Sequence, residues 1–223
     1  MSKDPTRRTF IKKTALAGAA AVFAPTIIPS SAFGANDRIN AAVLGINGRG
    51  QSHISSLMVQ KNVQVITLCD PDMRLLKERQ KSFKEKYNAD VALEQDLRRV
   101  FDNKDIDVVS IAMPNHWHSL ATIWACQAGK DVYLEKPGSH NIAEGRKMIE
   151  AAHKYKRIVQ HGVQLRSSPA VQEAVQLMRD GYIGKVYMAR GLVFRMRGDI
   201  GDKGLSPVPE GLDYELWTGP APK

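Results

Sequence analysis

The run Gly45-Ile46-Asn47-Gly48-Arg49-Gly50 follows the apolar stretch Ala41-Ala42-Val43-Leu44 and precedes a segment with helical spacing. Glycines at a strand-to-helix turn let backbone N–H groups approach a phosphate, and the N-terminus of the following helix favours its negative charge. Asp70 stands 25 residues beyond Gly45, at the end of the next β-branched run. A carboxylate there accepts hydrogen bonds from a ribose 2′-hydroxyl and repels a 2′-phosphate. The combination points to a dinucleotide, NAD in preference to NADP, with Gly45, Asn47, Gly48, Arg49, Gly50 and Asp70 as candidate cofactor-binding residues. Two alternatives stay open: Asp70 could cap the next helix, and Arg74 could offer a cation to a 2′-phosphate.

Two further polar clusters follow apolar runs. Pro114-Asn115-His116-Trp117-His118 comes after Val108 to Ala112, and Glu135-Lys136-Pro137 comes after Val132 to Leu134. Residues just beyond strand carboxyl ends are where open α/β sheets bind ligands. Pro114, Asn115 and His118 are therefore candidates for lining a cofactor pocket, with polar caps on the following helix as the alternative. His116 and His118 lack the acidic or cysteine partners that would complete three protein ligands, so no metal site is expected. Taken alone, Glu135-Lys136-Pro137 is a common surface turn.

These clusters need a scaffold that brings strand ends together. The runs Ile39 to Leu44, Val63 to Leu68, Val108 to Ala112, Val132 to Leu134 and Ile158 to His161 read as strands. Gly50 to Gln60, Asp72 to Tyr87, His116 to Ala128 and Asn141 to Lys154 have the apolar spacing of crossover helices. Alternating units of this kind imply an α/β fold, a Rossmann-type doubly wound parallel sheet spanning residues 36–162. Residues 163–223 read as the start of an incomplete α+β second domain: a helix from Ser168-Pro169, a strand from Val186 to Phe194, then a tail punctuated by glycine and proline. One helix and one strand cannot bury a second core, so the chain is expected to be a fragment of a longer protein or a shortened product.

Residues 1–35 read as an address. Arg7-Arg8-Thr9-Phe10-Ile11-Lys12 precedes a weakly apolar run from Ala15 to Ala24, the pattern of a twin-arginine (Tat) signal, with a cleavage region near Ala32 or Gly34. The run is too short to span a bilayer, so export to the periplasm by the Tat machinery is expected, with no stable membrane span. Five basic residues against Asp4 in this segment supply +4 of the formal net charge of +9. The other Lys and Arg interleave with acids, as in Lys77-Glu78-Arg79, and no basic stripe with aromatics suits a nucleic acid. Cys69 and Cys126 are expected to be buried small hydrophobes, although an oxidising compartment leaves a disulfide open.

The glycine loop, Pro114-Asn115 with His118, and Glu135-Lys136-Pro137 together resemble the Gfo/Idh/MocA family of glucose-fructose oxidoreductase and inositol dehydrogenase. Gly138-Ser139-His140-Asn141 with Glu144-Gly145-Arg146-Lys147, Gln164-Leu165-Arg166 with Pro169, and Leu216-Trp217-Thr218-Gly219-Pro220-Ala221-Pro222 are similar to its export-signal branch. The usual second glycine of the loop is Asn47 here, with Gly48 beside it. The resemblance implies hydride transfer between nicotinamide and a hydroxyl-bearing carbon of a sugar or cyclitol. It makes Lys136 the catalytic candidate, its ammonium stabilising negative charge that develops on oxygen, and Glu135 an orienting or cofactor-contacting residue. Gln164 and Arg166 become weaker candidates for substrate contact, with packing at the domain junction as their alternative. The longer form is expected to be a homo-oligomer. Two alternatives accompany this reading: an NAD-dependent glycosidase that oxidises the sugar transiently, and a truncated nucleotide-binding module without catalysis.

Overall fold

The computed structural model describes residues 38–196, 198–199, 201 and 204–222. The expected signal segment lies outside them. Strands β1 (Ile39–Leu44), β2 (Val63–Cys69), β3 (Ala92–Glu94), β4 (Val108–Ile111), β5 (Asp131–Glu135) and β6 (Val159–Gly162) form one sheet in the order β3-β2-β1-β4-β5-β6. Every pairing is parallel. The crossovers run through α1 (Arg49–Met58), α2 (Met73–Tyr87), α3 (Leu97–Asp102), α4 (Asn115–Gln127) and α5 (Ile142–Tyr155). Strand order reverses between β1 and β4, the switch point at which doubly wound sheets open a ligand crevice.

Alternation along β1 sorts its residues onto two faces, and both are buried. Ala41 and Val43 join Ile54, Leu68, Leu76 and Phe83 under α1 and α2. Ala42 and Leu44 join Val109, Ile111, Trp117, Ala121, Met148 and Ala151 under α4 and α5. Such central strands read as continuous apolar runs, which explains why β1, β2 and β4 are legible in sequence. Strand β3 and helix α3 are not: three residues and six residues carry too little periodicity to register. Side chains define the helix starts. Asp72, Asp96 and Asn141 accept from Arg74 N, Arg98 N and Glu144 N at 2.9 Å each. Cys69 and Cys126 are buried and unpaired, packed as apolar residues.

Beyond β6 the chain departs from its sequence reading. A 3-10 turn (Gln164–Ser167) leads into α6 (Pro169–Arg179), none of whose residues is buried. The expected strand from Val186 to Phe194 has no strand structure and is exposed. A strand exists only through its ladder, and among the described residues no neighbouring backbone pairs with this one. The tail returns to the Rossmann domain at two places. Leu212 bridges antiparallel to Asp72, and α7 (Tyr214–Thr218) lies back against the start of α4. Ile39–Lys223 is one compact unit. No helix among the described residues is long and apolar enough to cross a membrane.

At the opposite, amino-terminal edge of the sheet, Lys130 is 3% exposed and its ammonium donates to the carbonyls of Asn103 (2.6 Å) and Ile106 (2.8 Å). It joins the end of α3 and the approach to β4 to the start of β5. Burial lowers its pKa. Lys130→Met retains the stem and strands two carbonyls, so equilibrium urea unfolding should show about 1–3 kcal/mol less stability; an unchanged midpoint would remove Lys130 from the fold's support.

Candidate active site

Steric demands shape the glycine loop. A Cβ on Gly50 would overlap the Gly45 carbonyl oxygen, and one on Gly45 would lie 2.8 Å from the Ala112 carbonyl and Met113 N. Gly45 therefore lets the end of β1 close onto the end of β4, and Gly50 lets α1 start directly beneath the loop. The departure at Asn47 is absorbed locally: its Oδ1 accepts from Gly48 N at 2.9 Å and its carbonyl from Gly50 N at 2.9 Å. The N-terminus of α1 has no side-chain cap, and Asn47, Gly48 and Arg49 are exposed. This bare turn fits a phosphate.

Gly45, Asn47, Asp70 and Pro114 meet in one cleft of about 430 Å³, together with Pro71, Leu75, Met113, Trp117, Leu212 and Trp217. Asp70 stands beside the loop and braces it, Oδ2 accepting from Ile46 N and Oδ1 from Asp72 N at 3.1 Å each. Burial pushes its pKa up, against those two bonds. The capping alternative goes to Asp72, which caps α2 and also takes the guanidinium of Arg74 at 3.0 and 2.7 Å. The pair lowers the Asp72 pKa and occupies the cation that made a 2′-phosphate conceivable.

The centre of the edge is Glu135, at the end of β5 and only 4% exposed. Its Oε1 accepts from Arg49 Nε at 2.7 Å and faces His53 Nε2 at 3.2 Å, while Oε2 accepts from Lys136 N at 3.1 Å. His53 Nδ1 lies 2.8 Å from Ser110 Oγ on β4. A carboxylate only accepts, so His53 carries its proton on Nε2 and Ser110 donates to Nδ1. Four elements thus converge on one buried cluster: α1, β4, β5 and the turn bearing Lys136. Sequence reading missed this role for His53 and Ser110. The available signals were Arg49 and His53 at i, i+4 on one helix face and a lone serine in an apolar strand.

His118 and Glu135 are both buried, and neither is among the residues that line the cleft of Gly45 and Asp70. His118 is 1% exposed, with Nε2 facing the Met113 carbonyl at 2.8 Å and Nδ1 facing the Pro137 carbonyl. It buttons the β4 turn to the β5 turn from below, because its place in the first turn of α4 points it inward. Asn115 is exposed outside the lining of the cleft. His116 Nε2 is taken by the Trp217 carbonyl at 3.0 Å, and among the described residues no group of three metal-ligating side chains is assembled. Lys136 is exposed, joined to Pro137 by a cis peptide bond, and among the described residues its ammonium has no hydrogen bond or ion pair. Gln164 and Arg166 lie in a separate hollow of about 730 Å³ with Arg49, Tyr133 and Gly162.

A parallel sheet in this strand order, a glycine turn braced by a half-buried aspartate and a lysine turn at a neighbouring strand end define a Rossmann-type nucleotide-binding domain. Residues 39–163 match the Gfo/Idh/MocA oxidoreductase family, described as an NAD-binding Rossmann fold, and the chain belongs to that family. It is 28% identical over 155 residues to inositol 2-dehydrogenase of Salmonella paratyphi B, covering 69% of this chain and 45% of that protein. It is 28% identical over 172 residues to a glycosyl hydrolase family 109 protein of Solibacter usitatus, covering 72% and 39%. The crystal structure of myo-inositol 2-dehydrogenase from Lactobacillus plantarum aligns with a TM-score of 0.59 at 25% identity, over 67% of this chain and 43% of that one. The chain spans less than half the length of these relatives.

The Glu135 cluster has a pH signature. Burial lowers the pKa of His53 from its ordinary 6.5. Burial alone would raise that of Glu135, but hydrogen bonds from Arg49, His53 and Lys136 N outweigh it and hold the carboxyl below its ordinary value. Both groups bind fewer protons folded than unfolded, so stability rises with pH through their windows. The His53 contribution is complete above about pH 6.5 and is lost as pH falls through the folded pKa; that of Glu135 is complete above about pH 4.3 and is lost below it. Melting temperature should therefore decline on acidification from about pH 6.5, and His53→Gln should flatten the upper part of that decline. Identical slopes in the two proteins would dissociate His53 from the acid response.

Proposed function

We propose that the complete protein is an NAD-dependent oxidoreductase that moves hydride between nicotinamide and a hydroxyl-bearing carbon of a sugar or cyclitol. The observation that carries this reading is the meeting of the glycine turn and the Lys136 turn on Glu135. The residues present fit the cofactor: the uncapped α1 terminus suits a pyrophosphate and Asp70 suits ribose hydroxyls. When bound, NAD supplies the hydride acceptor. Arg49 and Glu135 hold α1 against β5, Glu135 fixes the backbone of Lys136, and His118 fixes Pro137 behind it. The Lys136 ammonium, having no protein partner among the described residues, is left to hold a substrate hydroxyl and to stabilise the negative charge that develops on its oxygen. Homologues named inositol dehydrogenases support the cyclitol or sugar class.

NAD is favoured over NADP because a 2′-phosphate beside the ribose would face the carboxylates of Asp70 and Asp72, with Arg74 already paired. The Arg7-Arg8 motif supports export by the Tat route, and a homo-oligomer remains the expectation for the longer form. A second reading, transient oxidation that permits glycosidic cleavage, is favoured by the similarity to the family 109 hydrolase; sugar release without accumulating NADH would select it.

Lys136→Ala in the complete protein should lower kcat by about 10²-fold or more, with the NAD dissociation constant within about three-fold of wild type, since the lysine reaches the substrate rather than the phosphates. Wild-type turnover in that variant would remove Lys136 from the chemistry. Asp70→Ser should shift the kcat/KM ratio by about ten-fold towards NADP, equivalent to about 1.4 kcal/mol of lost discrimination; an unchanged ratio would place cofactor choice elsewhere.

A further inference from the structure

The tail from Gly211 to Gly219 has no role in the chemistry above, yet it forms a wall of the nucleotide cleft. Main-chain contacts anchor most of it. Met73 N donates to the Gly211 carbonyl at 2.9 Å, Asp213 N to that of Pro71 at 3.0 Å, and Trp117 Nε1 to that of Leu216 at 2.9 Å. Gly219 lies so close to the Trp117 indole that a Cβ would overlap the ring. The backbone is therefore held independently of the side chains of Leu212 and Trp217. Both line the cleft, and Trp217 remains 42% exposed while stacking on Tyr214 at 5.8 Å between centroids.

The glycine turn, Asp70 and Asp72 give the cleft its polar lining, suited to phosphate and ribose. The other lining side chains are apolar: Pro71, Leu75, Met113, Pro114, Leu212 and Trp217. A flat, weakly polar ring joined to that ribose would be received there. We infer that Leu212 and Trp217 form the adenine-side wall of the dinucleotide site, so that the tail of this chain completes a cofactor pocket begun by the glycine turn. The inference rests on the nucleotide reading and extends it to residues about 170 positions beyond the loop. It also separates two duties: carbonyls of α7 hold His116 and Trp117, whereas its indole meets the ligand.

The test uses the full chain and ADP-ribose, which carries the adenine, ribose and pyrophosphate without the nicotinamide. Affinity is measured by calorimetry and by quenching of tryptophan emission. Wild type should bind ADP-ribose with quenching. Trp217→Leu should bind about ten-fold more weakly, the scale of one lost base–aromatic contact, and lose most of the quenching, whereas Trp217→Phe should retain most of the affinity. Wild-type affinity in Trp217→Leu with an unchanged melting temperature overturns the wall. If that variant does not melt cooperatively, Leu212→Asn decides on the same criterion. Failure of the wild-type chain to bind either ADP-ribose or NAD would overturn the nucleotide reading itself, a result distinct from failure of the wall.

Discussion

The carboxylate of Glu135 is the interaction on which the functional edge depends. It is nearly inaccessible to water, and a charge in that position is tolerable only because it is surrounded by donors. Arg49 and His53 approach from α1, and the amide of Lys136 approaches from its own turn. Removing either side would leave a buried charge partly unpaired, which costs more than the pair contributes when intact. Precision at the site therefore comes from satisfying this one group, which sets the tautomer of His53, with Ser110 holding the other ring nitrogen from the neighbouring strand.

Around that cluster the sheet supplies direction. Six parallel strands send every carboxyl end to the same side, and the reversal between β1 and β4 parts the following helices. The loop glycines are where the backbone comes closest to itself: the end of β1 rests against Ala112 and Met113, and no side chain fits between them. His118 fills the space one strand further on, its ring nitrogens facing the Met113 and Pro137 carbonyls from beneath. The result is three turns held side by side along one edge, the first two of which line the crevice.

Charge is distributed to match. Asp70 and Asp72 line the cleft beside the glycine turn, and Asp72 holds Arg74 in an ion pair. At the phosphate end the helix terminus is uncapped and Arg49, though bound to Glu135, keeps its side chain 46% exposed. Lys136 stands apart from both with no protein partner among the described residues. The uncapped α1 turn and the Lys136 ammonium thus stand at different places along one edge of the sheet.

The sequence by itself determined the sheet and the site's general address. Apolar runs buried on both faces and helices with regular spacing are local signals, and β1, β2, β4, β5 and the long crossover helices follow from them. The glycine turn and Asp70 were legible for the same reason, since their distance along the chain is a property of one strand-helix-strand unit. What tertiary structure alone decided are the contacts between remote segments. Glu135 meets Arg49 across 86 residues and His53 across 82, His118 turns inward, and Trp117 finds a carbonyl 99 residues away. No periodicity encodes such pairings, because burial and hydrogen-bond demand act on whichever groups the topology brings together. The same reason accounts for the apolar segment from Val186 to Phe194: β propensity is present in the residues, but a strand needs a partner that sequence spacing does not supply.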